Sequence, residues 1–189
     1  MKLIETAIDG CFILESGVFG DDRGLFREWF KLDDLKAAGL SFDVEQANFS
    51  VSSQNVVRGL HYSIAPRGQA KVVTCAHGTL DDVIFDIREG SPTFGQLVVV
   101  SLAAGEGRSV HLPAGVAHGF CVTSDVGALA YLLSSPYDAP NELEINPLDS
   151  EIGVPWPLTG EPIMSAKDAA APTFQERRLL GQITRFASI

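Results

Sequence analysis

Four short stretches hold the residue types best suited to chemistry: Arg58-Gly59-Leu60-His61, Gln69-Ala70-Lys71, Pro113-Ala114-Gly115-Val116-Ala117-His118-Gly119-Phe120, and Ser165-Ala166-Lys167-Asp168. Together they supply an imidazole, a cation and a carboxylate, which is the equipment for taking a proton from carbon. Imidazole changes charge near neutral pH and accepts a proton without a cofactor. A carboxylate behind the ring fixes its tautomer and stabilises the imidazolium, and a cation stabilises the negative charge left on the substrate. His61 is the candidate base and Asp168 the carboxylate placed behind it. Taken alone, Asp168 could equally be a solvated loop acid beside Lys167.

The elements that must position these groups read as β-strands. From about residue 44 to residue 134 the chain runs in short Val- and Ile-rich segments, punctuated by Gly, Pro, Asn and Asp at close intervals, the rhythm of an all-β sandwich or barrel. Candidate strands are Val56-Val57, Lys71 to Ala76, Asp81 to Ile87, Gln96 to Leu102, Ser109 to Leu112, Phe120 to Thr123 and Ala128 to Leu133, with His77-Gly78 as a turn. Within residues 82–88, Val83, Phe85 and Ile87 share one face and are expected to point into the core, leaving Ile84, Asp86 and Arg88 on the other. Helix is scarce: Leu32 to Ala38 closed by Gly39, and a helix opened by a capping box at Thr173-Phe174-Gln175-Glu176 and ending near Leu180. The segment from Pro136 to Pro172 holds most of the ten prolines and predicts an extended wrap over the barrel. The expected organisation is one domain over residues 1–189: an N-terminal arm to about residue 43, a barrel over about 44–134, and a C-terminal wrap with a short helix.

A chain of 189 residues, 46% hydrophobic, can bury one sizeable core. A net charge of -10 argues against a nucleic-acid polymer as partner, since phosphate neutralisation needs clustered Lys and Arg. A single nucleotide needs only two or three cations, and Arg23, Arg58 and Lys71 are available. The three widely spaced cysteines suggest reduced thiols in a cytoplasm rather than a disulfide framework or zinc knuckle. Glu5 and Asp9 interrupt any signal-peptide core, and no run has the length of a membrane span.

The spacing Gly107-x5-Pro113-x-Gly115-x2-His118 matches the second motif of the cupin superfamily of jelly-roll barrels, in which a Pro/Gly turn ends a strand and a His follows in the barrel mouth. The same pattern also describes a structural turn followed by a core histidine satisfied by backbone groups. In many cupins that His ligates metal with an earlier His-x-His and a Glu. Here Leu60-His61-Tyr62-Ser63 offers one imidazole, and Lys71 stands about where the carboxylate is wanted. An ammonium there opposes a divalent ion, so no metal site is expected, and His77 and His111 do not restore one.

Over residues 1 to about 180 the chain resembles the dTDP-4-dehydrorhamnose 3,5-epimerase family. The resemblance is carried by Val18 to Phe26, Arg58 to His61, Gln69 to Lys71, Gly90 to Gly95, Pro113 to Phe120 and Ser165 to Pro172, in order and at matching spacing. It implies a cupin-type barrel and an epimerase acting on a dTDP-4-keto-6-deoxy sugar with no cofactor. It further implies His61 as base paired with Asp168, Lys71 beside the ketone oxygen, and Tyr131 as the acid that returns a proton to the opposite face. For binding it implies Arg58 near the pyrophosphate, Gln46 and Asn48 near sugar and phosphates, Phe19, Arg23 and Glu28 near the nucleotide, and Tyr137 and Glu142 near the pocket. His118 is read as a supporting pocket wall. The resemblance also implies a homodimer in which residues such as Arg23 reach the partner's pocket. Many members carry Lys after the strand Tyr where this chain has Leu132, which leaves open inversion at C3 alone or at C3 and C5. A ketoisomerase moving the carbonyl between C3 and C4, a non-catalytic sugar-nucleotide-binding cupin, and a metal-dependent dioxygenase are the competing readings.

Overall fold

The architecture was read from a computed structural model that describes residues 1–66 and 68–186. In chain order the strands are β1 (Lys2–Glu5), β2 (Phe12–Glu15), β3 (Val18–Asp21), β4 (Gly24–Arg27), β5 (Gln46–Ser53), β6 (Val57–Ser63), β7 (Lys71–His77), β8 (Thr79–Phe85), β9 (Leu97–Ala103), β10 (Arg108–Leu112), β11 (Ala117–Val122), β12 (Val126–Leu133) and β13 (Glu142–Glu144). Helix is confined to α1 (Leu32–Ala37), α2 (Ala166–Ala169), α3 (Phe174–Leu179) and a 3-10 turn at Ala139–Asn141. The strands form a six-stranded sheet, β1-β2-β10-β7-β12-β5, facing a five-stranded sheet, β13-β6-β11-β8-β9, with β3 and β4 as a separate hairpin. Every strand pairing is antiparallel, as expected of a jelly roll.

Each sheet is covered on both faces over most of its strands, the outer face of β5 excepted. Between them, Ile8, Val73, Leu80, Ile84, Leu102, Val110, Phe120 and Leu129 fill the barrel. Outside the five-stranded sheet, Leu60, Tyr62, Val83, Phe85, Ile87 and Ala117 pack under the C-terminal segment, with Phe174 and Trp156 against them. Outside the six-stranded sheet, Leu14 and Val72 pack against Leu35 of α1 and Phe42.

Val83, Phe85 and Ile87 of β8 face a core as expected, and it is the outer one beneath the wrap. Ile84 and Leu80 point into the barrel, and Asp82, in phase with them, is 0% exposed. The arm before residue 44 is also more than an arm, since β1 and β2 extend the six-stranded sheet through the β2–β10 pairing. Thr173 and Glu176 form the expected capping box, the Thr173 hydroxyl accepting from the Glu176 amide and the Glu176 carboxylate from the Thr173 amide.

Candidate active site

One end of the barrel interior is left open instead of being filled with apolar side chains. A cavity of about 280 Å³ there is lined by Asn48, Arg58, His61, Lys71, Tyr131, Tyr137, Glu142, Glu144, Lys167 and Asp168, among others. A deeper chamber of about 140 Å³ shares Arg58, His61, Lys71 and Tyr131 with it and adds Ser50, His118 and Phe120. A larger depression of about 440 Å³ lies elsewhere, between Ser63–Pro66 and Ile183–Arg185, and brings no acid and base together.

Strand β6 delivers two groups to this cavity. Arg58 and His61 are three apart, and on a regular strand they would point to opposite faces. The pairing with β11 shifts register between His118 and Phe120, at Gly119, which lies across from Gly59. A Cβ on Gly59, whose φ is +125°, would meet the Gly119 Cα at 2.6 Å, and one on Gly119 would meet the Arg58 carbonyl oxygen at 2.6 Å. Only glycine fits on either side. The resulting irregularity turns both Arg58 and His61 into the cavity, and it explains the Arg-Gly-Leu-His and His-Gly-Phe sequences as one packed unit. His61 and His118 are direct cross-strand partners.

Asp168 reaches His61 from outside the sheet. The Ser165 hydroxyl caps α2 by accepting the Asp168 amide at 3.0 Å, which fixes the turn that carries the carboxylate. Asp168 Oδ1 lies 2.7 Å from His61 Nε2, with the carboxylate buried and the imidazole side chain 42% exposed to the cavity. Burial raises the Asp168 pKa, but the His61 hydrogen bond and charge, with help from Ser165 and the Gly59 backbone, outweigh it and hold the carboxyl below its ordinary value. Because Nε2 is engaged, Nδ1 is the ring nitrogen left to take a proton.

Lys71, at the start of β7, is 9% exposed. Burial lowers its pKa, opposed by the charges of Glu142 and Asp82. Glu142 responds in the opposite sense: burial raises its pKa, opposed by Lys71. The Glu142 and Asp82 charges favour the protonated amine against burial in this nearly dry wall of the cavity, where a cation acts most strongly on a charge that develops nearby. Tyr131 enters from β12 in the six-stranded sheet, so it and His61 stand on opposing walls.

The binding candidates divide into two groups. Arg58 donates from Nε to the Ser52 hydroxyl at 3.1 Å, which aims its guanidinium. Gln46 donates to Asn48 at 2.9 Å and accepts the Tyr137 amide at 2.9 Å, linking cavity wall to rim. Tyr137 stands 59% exposed at that rim. Phe19, Arg23 and Glu28 are not brought to this cavity within the chain. Phe19 and Arg23 sit on the β3–β4 hairpin with Arg23 paired to Asp21, and Glu28 is exposed just beyond it. Arg27 pins the hairpin's base by donating to the Thr74 hydroxyl and to the Arg108 carbonyl, so these residues project away from their own pocket.

Two further corrections concern specificity and missed residues. Leu132 packs in the outer cluster with Leu35 and Phe42, on the face opposite Tyr131 and Leu133, so its side chain does not line the pocket. The sequence reading also omitted Lys167, which pairs with Glu144 at the cavity edge, and Asp82, whose Oδ1 lies 2.6 Å from His118 Nε2. The signal for Asp82 was an acid lying between Leu80 and Ile84 on one strand face. Among the described residues no group of three or more His, Cys, Asp or Glu is arranged to hold a metal ion.

The profile of the dTDP-4-dehydrorhamnose 3,5-epimerase family matches residues 5–176. A dTDP-4-dehydrorhamnose 3,5-epimerase of Mycobacterium tuberculosis is 42% identical over 98% of this chain and 94% of its own length. A dTDP-4-dehydrorhamnose 3-epimerase of Streptomyces niveus is 40% identical over 100% of this chain and 91% of its own. The crystal structure of a Legionella pneumophila 3,5-epimerase in complex with dTDP-4-keto-L-rhamnose superposes with a TM-score of 0.91 at 37% identity, covering 98% of each chain. By profile, sequence and fold alike, this chain belongs to the dTDP-4-dehydrorhamnose 3,5-epimerase family.

Proposed function

We propose that the protein epimerises a dTDP-4-keto-6-deoxyhexose at carbon next to the C4 ketone, with its own side chains as the only acid and base. The observation that carries this is the facing pair: His61, oriented by Asp168, on one wall and Tyr131 on the other, with the buried amine of Lys71 lining the same cavity. His61 Nδ1 takes the C3 proton, the C–H electrons form a C3–C4 double bond, and the ketone electrons move to O4. Lys71 stabilises that enolate oxygen. The Tyr131 hydroxyl then gives a proton to C3 from the other face, and solvent restores the phenol and the neutral imidazole. Inversion needs donors on two faces, and opposing sheets supply them. C5 flanks the same ketone, so the same groups invert it wherever the cavity lets the ring present C5 to His61.

Arg58 and Lys167 supply local positive charge for the diphosphate despite the net charge of -10. We assign the nucleotide end to Tyr137 at the rim and to Phe19, Arg23 and Glu28 of a second copy. Support comes from what one chain leaves uncovered. β5 is the edge of the six-stranded sheet, with Phe49 64% and Val51 58% exposed, and on the hairpin Phe19 and Phe26 are 68% and 69% exposed. A long edge strand with an apolar outer face calls for a covering chain. The three cysteines are free and buried, in keeping with a reducing cytoplasm, and no helix among the described residues is long and apolar enough to cross a membrane.

The deciding experiment incubates the enzyme with dTDP-4-keto-6-deoxyglucose in deuterated water and follows C3 and C5 by NMR. Deuterium at C3 alone identifies a 3-epimerase, and deuterium at both a 3,5-epimerase. Exchange at neither carbon refutes the proposal.

A further inference from the structure

A second imidazole–carboxylate pair lies beneath the cavity, and the proton transfers above leave its carboxylate without a role. Asp82 is 0% exposed, in the barrel-facing row of β8 between Leu80 and Ile84. Its Oδ1 holds His118 Nε2 at 2.6 Å. Its Oδ2 is buried with no hydrogen-bond partner. A buried carboxylate with an orphan oxygen destabilises a fold relative to an apolar residue of similar size, so core packing does not account for it. The charges around it do. Lys71 on β7 is nearly buried, Arg58 and His61 face the same space from β6, His118 from β11, Tyr131 from β12, and Glu142 and Glu144 from β13.

We propose that Asp82 is a positioning residue for proton abstraction: it fixes the His118 ring through Nε2, leaving Nδ1 to meet the substrate. This rests on the epimerase reading of the cavity. Sequence register supports this role, because His118 is the cross-strand partner of both His61 and Ile84, so its ring is locked between the catalytic strand and the strand that carries Asp82.

The test is Asp82→Asn, which keeps the shape and an oxygen for the His118 N–H while removing the charge. Deuterium exchange kinetics across pH should show kcat lowered roughly 10- to 100-fold, somewhat less than deleting an oxyanion donor outright. KM and dTDP affinity should stay within about twofold, the mark of an effect on the transition state rather than on binding. An unchanged kcat in a folded Asp82→Asn protein overturns the proposal, as does a fall in kcat matched by equal losses of dTDP affinity and melting temperature. Should the variant not fold, ¹⁵N-histidine labelling of the unmodified protein still decides. It has four histidines, and His118, identified by its loss in His118→Gln, must carry a proton on Nε2. A proton on Nδ1 alone overturns the proposal. Absence of exchange by the unmodified enzyme would instead refute the epimerase reading and this role with it.

Discussion

Replacing Asp168 by Asn removes one charge from the site while leaving its shape. In the native pair the carboxylate accepts from His61 Nε2 at 2.7 Å and so leaves Nδ1 to receive the substrate proton. An amide can donate as well as accept, so the variant also populates the ring with its proton on Nδ1, where it cannot act as a base. The larger effect is electrostatic. As the proton transfers, an imidazolium forms about 4 Å from the carboxylate, and at an effective dielectric near 20 that attraction is about 4 kcal/mol. His61 is 42% exposed, so solvent screens part of it, leaving about 3 kcal/mol. At about 1.4 kcal/mol per tenfold, the rate of C3 exchange in deuterated water should fall on the order of 100-fold. The dTDP affinity, measured by calorimetry, should hold, because the nucleotide is assigned to other residues. A folded Asp168→Asn enzyme that exchanges C3 within about threefold of the unmodified rate would refute the pairing as the source of basicity.

Tyr131→Phe separates the two half-reactions: deuterium should still enter C3 from the His61 side, while formation of the inverted product falls on the order of 100-fold, read by chiral product analysis. Leu132→Lys should leave the ratio of C3 to C5 exchange unchanged, since the side chain at 132 faces α1 and Phe42 rather than the cavity; a shifted ratio would contradict that placement. His111 is buried between Phe12 and Phe42, its Nδ1 bonded to the Gly10 carbonyl, and burial lowers its pKa, only partly opposed by that bond. The unfolded chain therefore binds this proton at higher pH than the native one. Its contribution to stability is full above about pH 6.5 and is lost as pH falls toward the lower native value. Denaturant titrations of His111→Phe should show a flatter loss of stability between pH 7 and 5.5 than the unmodified protein, whatever the offset between them. Under the proposed pairing of two copies along β5, Phe49→Asp should yield a monomer in sedimentation where the unmodified protein gives a dimer, and weaken dTDP binding in step; a dimer that persists with full affinity would rule out the β5 edge as the interface.

What could be read from the sequence follows from how each strand is buried. The strands from Lys71 to Leu133 were legible because hydrophobic runs and turn residues alternate there, as at His77-Gly78. β5 was not, because Gln46, Asn48, Ser50 and Ser52 face inward where a core strand would show Leu or Val; the polarity that serves a ligand cavity erases the strand signature. β8 was legible only in part. It is buried on both faces, so its apolar residues set no phase, and placing Val83 and Phe85 in the core drew attention from Asp82 on the other face, which is buried as well. The Leu132 question was answerable in advance, since a residue next to a cavity-facing Tyr131 must face away on a regular strand. For Arg23 and its neighbours, the expectation that they serve a partner's pocket rested on the family resemblance alone, because nothing in the residues themselves says which copy of a chain a hairpin serves.

The two histidines show why the site was only half visible. His61 and His118 are cross-strand partners, a local relation that their glycine-flanked motifs announce. Their carboxylates arrive by different routes: Asp168 from a capped turn in the C-terminal wrap, outside the sheet, and Asp82 from the neighbouring strand, inside the barrel. The first was found because the wrap's Ser-Ala-Lys-Asp stretch is one of the segments that carry the family resemblance. The second lies in a strand that looks like core. Both bonds engage Nε2, at 2.7 and 2.6 Å, so the same hydrogen-bond logic orients two adjacent rings. On the proposed assignment, what separates the base from the supporting ring is the setting of each: His61 is 42% exposed to the open cavity, where it can return its proton to solvent, while His118 is 8% exposed and bonded to a carboxylate that solvent does not reach. A base must exchange its proton with water in each turnover, and a fixed supporting ring need not.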